Sequence, residues 1–198
     1  LIESQNMPAV LLWNYDPAAR LSCVGVDNEA AGRTIADYAI AQGHQRFATL
    51  FPPLRGNDRA TSRAKGVRAA LDAAGIALDQ ADQLETRYSL SDAKSAVQHF
   101  LETRDRPDVI ICGNDVLALG AIYAAQSVGL RVPQDLRVTG IGDFKGSKDV
   151  EPTITTVRIP AQSIGQTGGD AMVAAITTPD IPRESLCCPC TLVVRASC

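Results

Sequence analysis

The chain has 198 residues, 45% of them hydrophobic, enough to bury the core of one large domain or two small ones. Its formal net charge is −3 and no basic block occurs, so electrostatic binding of nucleic acid by these residues alone is disfavoured. No apolar run is long enough to span a bilayer.

Residues 1–6 are neither a signal peptide nor an initiator methionine, and they read as the interior of a longer chain. Residues 9–13, Ala-Val-Leu-Leu-Trp, form a short apolar strand, and 22–26 a second one. Asp27 and Asn28 then cap a helix whose inward face is Ala31, Ile35, Tyr38 and Ala39 and which ends at Gly43. His44 stands at the entry of the next strand, 47–51, as a hydrogen-bonded hinge residue rather than a catalyst. A turn-rich loop leads to a helix over 59–74 that buries Ala60, Ala64, Val67 and Leu71. Arg59 and Arg63 lie one turn apart in its first turns, where cations oppose the helix dipole. They either meet something anionic or polar, or stay solvated on the surface. The alternating rhythm suggests a strand over 83–88. Ser89 and Asp92 then have capping-box spacing ahead of a helix burying Ala93, Ala96, Val97, Phe100 and Leu101.

Residues 106–143 organise the rest. Val109-Ile110-Ile111-Cys112 is a wholly apolar, β-branched run, the mark of a strand buried on both faces. Gly113-Asn114-Asp115 breaks it with helix-capping side chains, and Leu117, Ala118, Ala121, Ala124 and Ala125 recur at helical spacing. Gly129 and Pro133 end that helix, and 136–141 is the next buried strand. Two buried strands joined through a helix are most simply parallel. Ligands collect at the carboxyl ends of such strands. That puts Gly113-Asn114-Asp115 and Gly140-Ile141-Gly142-Asp143 at the rim of a binding site.

A polar loop over 144–153 follows, then an extended segment at 154–157. A helix over 161–177 turns Ile164, Ala171, Met172, Ala175 and Ile176 inward. Residues 179–182 form a turn, and 186–194 a last strand region interrupted at Pro189. Alternating strands and helices with short connections predict an α/β fold with parallel sheets.

Cys23 and Cys112 sit in apolar strands as small buried hydrophobes. Cys187-Cys188-Pro189-Cys190 invites a metal reading, but zinc sites need a second pair or histidines at set spacing, and neither His44 nor His99 is placed as a partner. No metal or other cofactor is expected. Nothing argues for a disulfide framework, which makes a reducing cytoplasm the default. Walker-type, dinucleotide, nucleophile-elbow and zinc-protease motifs are absent, and no base–nucleophile set can be assembled. An enzyme is therefore not expected.

One ordered set of short motifs carries a resemblance. Gly43-His44 precedes a strand, and Arg63-Ala64-Lys65-Gly66 lies in the next helix. Pro107-Asp108, Gly113-Asn114-Asp115, Ala118-Leu119-Gly120-Ala121 and Gly129-Leu130-Arg131-Val132-Pro133-Gln134-Asp135 follow. Thr155-Thr156-Val157-Arg158, Ile164-Gly165 and the ending Leu192-Val193-Val194-Arg195-Ala196-Ser197 complete it. Together they resemble the effector-binding domain of a LacI/GalR-family transcriptional regulator, over essentially the whole chain.

The resemblance implies a periplasmic-binding-protein-like fold: two parallel-sheet α/β lobes, three crossovers, and a ligand in the cleft. One lobe would be 1–43 plus 158–188, incomplete at its start and so leaving sheet edge and core uncovered. The other would be 44–157 plus 189–198. The family's helix-turn-helix is not in this chain, so operator DNA would be met only through a segment preceding Leu1. The implied partners are a small polar effector, a sugar or sugar derivative, and a second copy in a homodimer, in the cytoplasm and away from membranes. A periplasmic sugar receptor of a transporter, which shares the fold, is the alternative.

By the same resemblance Arg63 matches the arginine that hydrogen-bonds the effector, with a fork of donors suited to vicinal hydroxyls or a carboxylate. Asn114 matches the polar residue after the buried strand. Tyr88 falls where an aromatic stacks on the ligand ring, or else it packs at the lobe edge. Arg59 is a further candidate on the same helix. The family usually writes Gly, an aromatic and two Asp after the last central strand, and the first Asp takes effector hydroxyls. Here Gly142 holds that position, beside Asp143. Either Asp143 turns inward, or the ligand lacks that hydroxyl pair, or it carries its own charge, as an acidic or phosphorylated sugar does.

Overall fold

The computed structural model describes residues 7–178 and 184–198, so the expected opening stretch 1–6 and the turn at 179–182 lie outside the described residues. In chain order the elements are β1 (Leu11–Asn14), β2 (Cys23–Val26), α1 (Asn28–Ala41), β3 (Phe47–Phe51) and α2 (Asp58–Ala73). Then come β4 (Gln83–Glu85), α3 (Leu90–Thr103), β5 (Val109–Cys112), α4 (Asp115–Ser127) and β6 (Arg137–Gly142). The last are β7 (Thr155–Arg158), α5 (Ala161–Thr177), β8 (Leu186–Cys187) and β9 (Thr191–Val193). The fold is α/β with parallel-dominated sheets, as the alternation of elements predicts.

Two compact units divide the chain, one from Leu1–Asn28 with Ile159–Cys190, the other from Glu29–Arg158 with Thr191–Cys198. The breaks fall at 28/29, 158/159 and 190/191, where the sequence led us to expect 43/44, 157/158 and 188/189. The first difference has a steric cause. The backbone of α1 lies directly on α2, with Gly32 against the Arg63 carbonyl and Gly66 against the Glu29 carbonyl. No Cβ fits at either crossing point, so α1 packs as part of the second unit.

The first unit is a three-stranded parallel sheet in the order β1-β2-β8, with α5 packed on β1 and β2. Gly25 of β2 lies so close to the backbone of Trp13 and Asn14 that a side chain there would collide with β1. Asn28, expected as a helix cap, donates from Nδ2 to Asn14 Oδ1 at 3.1 Å. Along α5 Ile164 is buried and Gly168 meets Leu12, but Ile176 is 61% exposed rather than inward. A sheet of three short strands is too narrow to cover the last turns of a helix of 17 residues. Leu11, Leu12, Trp13, Val173 and Leu186 of this unit are exposed as well.

The second unit holds a six-stranded sheet in the order β4-β3-β5-β6-β7-β9, parallel except for β9. Strands β3 and β5 are buried at every position, so helices must cover both faces. One face packs Ala48, Leu50, Ile110, Cys112 and Val138 against α3 and α4 through Val97, Leu117, Ala121 and Ile122. The remaining helices of the unit, α1 and α2, are left for the other face.

Helix starts have local causes. The side chains of Asn57, Ser89 and Asn114 accept from the backbone N–H of Ala60, Asp92 and Leu117 at 3.2, 3.3 and 2.9 Å. Strand β4 closes at Glu85 rather than reaching Tyr88, because the chain turns at Arg87–Ser89 to enter α3. The α1–α2 crossing yields a stability test. Gly66→Val should lower the unfolding free energy by about 1–3 kcal/mol, read as a lower urea midpoint with little change in slope, since a side chain cannot enter without parting two backbones.

Candidate functional site

The carboxyl ends of β3, β5 and β6 bring several of the expected residues together. Arg63, on the second turn of α2, donates from Nη1 to the Gly113 carbonyl at 2.9 Å, just beyond β5. The α1–α2 contact fixes the height of this arginine, since Gly32 packs against its backbone. Gly113 lies under the ring of Phe51, the last residue of β3. Asn114 follows, buried, with its Oδ1 taken by the Leu117 N–H. Its amide is thus a helix cap first, and its Nδ2 is the part that a ligand can use.

Sequence reasoning put Asp115 at the rim but gave it no role of its own. Its carboxylate is 3% exposed and accepts three hydrogen bonds. Phe144 N–H donates to Oδ2 at 2.9 Å, Ser147 Oγ to Oδ2 at 2.6 Å and Thr156 Oγ1 to Oδ1 at 2.7 Å. A buried carboxylate is tolerable only with such donors. Gly140 faces Oδ1 so closely that no Cβ fits between them. Asp115 therefore welds the start of α4 to the turn after β6 and to β7. Its position after β5 is legible in the sequence, but an acid in the first turn of a helix carries no sign of donors so far along the chain.

Gly142 and Asp143 lie at the rim of β6. Gly142 has φ +143, and a Cβ there would stand 2.5 Å from the ring of Phe144. Asp143 has φ +55 and its side chain is 9% exposed. Its carboxylate accepts from Arg158 Nε at 2.7 Å and from Arg195 Nη2 at 2.6 Å. Burial alone would raise its proton affinity, but the hydrogen bonds and charges of Arg158 and Arg195 prevail and hold its carboxyl below the ordinary carboxylate range.

Arg59 and Tyr88 stand farther out. Arg59 is exposed and loosely paired with Asp58 at 4.0 Å. Tyr88 is 48% exposed in the loop after β4. The other end of the same sheet carries a cavity of about 360 Å³ lined by Arg46, Arg104 and Arg106 with Asp79, Asp82 and Asp105. Its mixed charges favour no single ligand class.

Of the cysteines, Cys23, Cys112 and Cys188 are buried and Cys187 is exposed. Burial, then the charge of Asp115, pushes the Cys112 thiol well above its ordinary value. Among the described residues no group of three or more His, Cys, Asp or Glu is placed to hold a metal ion. No described helix is long and apolar enough to cross a membrane.

Residues 36–198 match the family model described as a periplasmic binding protein-like domain. The chain belongs to the periplasmic binding protein-like domain family. It is 31% identical over 199 aligned residues to the HTH-type transcriptional repressor PurR of Erwinia tasmaniensis, covering 100% of this chain and 58% of that protein. Among solved structures it resembles a regulatory protein of the LacI family from Chloroflexus aggregans, with a TM-score of 0.91 and 25% identity over 99% of this chain and 70% of that one. It also resembles a transcriptional regulator CelR–cellobiose complex, with a TM-score of 0.87 and 26% identity over 99% of this chain and 60% of that one. The relatives of this periplasmic binding protein-like domain are thus LacI-family and PurR transcriptional regulators, and the chain spans little more than half the length of the curated ones.

Two outcomes follow from the rim. Asp115→Ala leaves two buried hydroxyls and an amide without their acceptor, and should cost on the order of 3 kcal/mol by chemical denaturation. For Asp143 the sign is that of a depressed carboxyl: its contribution is complete above the ordinary value of 3.8 and is lost as pH falls through the lower folded value. Asp143→Asn should therefore flatten the acid limb of a stability-against-pH curve and leave the slope above pH ~5 unchanged.

Proposed function

We propose that this chain is the effector-sensing and dimerising domain of a LacI-type transcriptional regulator, acting in the cytoplasm. Its ligand is a small polar molecule, a sugar or sugar derivative, held at the carboxyl end of the six-stranded sheet. The observation that carries this is the Arg63 guanidinium fastened to the Gly113 carbonyl beside Asn114, a hydrogen-bonding fork set where parallel sheets bind ligands. A relative's structure named as a complex with cellobiose supports the sugar class. Relatives named as regulators favour this role over that of a transport receptor.

The domain acts by binding, not by turnover. A bound effector favours one conformation over another, and operator affinity follows by linkage. Operator contact belongs to a DNA-binding segment outside these residues. Tyr88 supplies a stacking face and Arg59 an outer cation for the ligand.

Titration calorimetry against a panel of sugars, with cellobiose among them, tests the reading. A binding member of the panel should lose about tenfold or more in affinity on Arg63→Ala, with the fold intact by circular dichroism. Unchanged affinity in that variant would place the site elsewhere.

A further inference from the structure

We propose that the ring of Phe144 is a stacking face for the effector, and that it selects a ligand whose ring has an apolar face. The inference rests on the reading of the rim as an effector site, and it adds a residue which that reading does not use.

Single exposed apolar side chains are ordinary on a protein surface. Phe144, 45% exposed, differs in how it is held. Its N–H donates to the buried Asp115 carboxylate at 2.9 Å, and its carbonyl accepts from Ser147 N–H at 2.8 Å. Ser147 Oγ returns to the same carboxylate at 2.6 Å. Two of the three donors that fill the Asp115 carboxylate thus come from one turn, and Phe144 opens that turn. Its backbone is fixed before any ligand arrives. An aromatic ring on a fixed backbone meets a ligand at low entropic cost.

The position of the ring is set by β6. Alternate residues of a strand face the same side. A Cβ at Gly140 would meet the carboxylate of Asp115, the first residue of α4, and one at Gly142 would meet the Phe144 ring at 2.5 Å. The ring therefore lies on the α4 side of β6, two residues or about 7 Å farther toward the carboxyl end than Gly140. Gly142, with φ +143, admits no side chain of its own, so the ring fills the space that one would take. The outermost side-chain position of this central strand is thereby aromatic.

A sugar ring has a face of C–H bonds and an edge of hydroxyls. The face packs on an aromatic ring, and the edge meets amide and guanidinium groups. In the order β4-β3-β5-β6 the Arg63–Gly113 contact and Asn114 stand just beyond β5, which pairs directly with β6. Tyr88 follows β4, the strand at the edge of the sheet and two positions from β5. Phe144 is thus the aromatic carried by the strand next to the polar group.

The test titrates the full chain with cellobiose, glucose, galactose, maltose and ribose, in the parent and in four variants. A sugar that binds the parent should lose about tenfold or more in affinity on Phe144→Ala. Phe144→Tyr and Phe144→Trp keep the stacking face and should stay within about threefold of the parent, whereas Phe144→Leu, apolar without a ring, should fall between. These three carry the test if Phe144→Ala fails to fold. Trp13 is the one native tryptophan, so added emission in Phe144→Trp reports the new ring, and it should change as the sugar saturates. Equal affinity in Phe144→Ala, or equal losses in the Leu, Tyr and Trp variants, overturns the proposal and leaves the effector reading standing. So does a loss in Tyr88→Ala with none in Phe144→Ala, or a Phe144→Ala chain that differs from the parent only in sedimentation, which would make the ring part of an interface. Failure of every sugar to bind the parent at millimolar concentration overturns the proposal and the effector reading together.

Discussion

The buried carboxylate of Asp115 is the constraint on which the rim depends. It accepts from Phe144 N–H, Ser147 Oγ and Thr156 Oγ1, and so joins three separate stretches of chain at one point. Burial of a charge is costly unless its lone pairs are filled, so all three donors must arrive together. Gly140 belongs to the same requirement, since any Cβ there would displace the carboxylate. The path of the loop after β6, including where Phe144 and Asp143 stand, follows from satisfying this one group.

A second constraint sets the opposite side of the site. Helices α1 and α2 cross at backbone distance through Gly32 and Gly66. That crossing fixes α2 against α1, and from α2 the Arg63 guanidinium reaches the Gly113 carbonyl. The rim thus rests on two unlike supports, one polar and buried, the other purely steric. Between them Asp143 is neutralised by Arg158 and Arg195 and belongs to the frame of the site.

Much of the architecture was legible in residue pattern. The run Val109-Ile110-Ile111-Cys112 is a strand with those bounds, because four apolar, mostly β-branched residues between Asp108 and Gly113 leave no other economical structure. The helix over 161–177 has the same bounds in sequence and structure. Ser89 and Asn114 cap as their spacing implied. The inward face of α5 was less legible. Periodicity shows which residues share a side of a helix but not how far the facing sheet extends, so Ile176 was assigned inward and lies exposed.

The sequence by itself determined the strand–helix alternation, the helix caps and the family to which these elements belong, because each depends on contacts within a few residues or on motif order. Only the tertiary structure decided the state of the carboxylates. Asp115 and Asp143 look alike in the chain, one acid after a glycine-containing turn in each case. One is buried by donors 29, 32 and 41 residues away, and the other is clamped by arginines 15 and 52 residues away. No local pattern encodes a group whose partners are that distant.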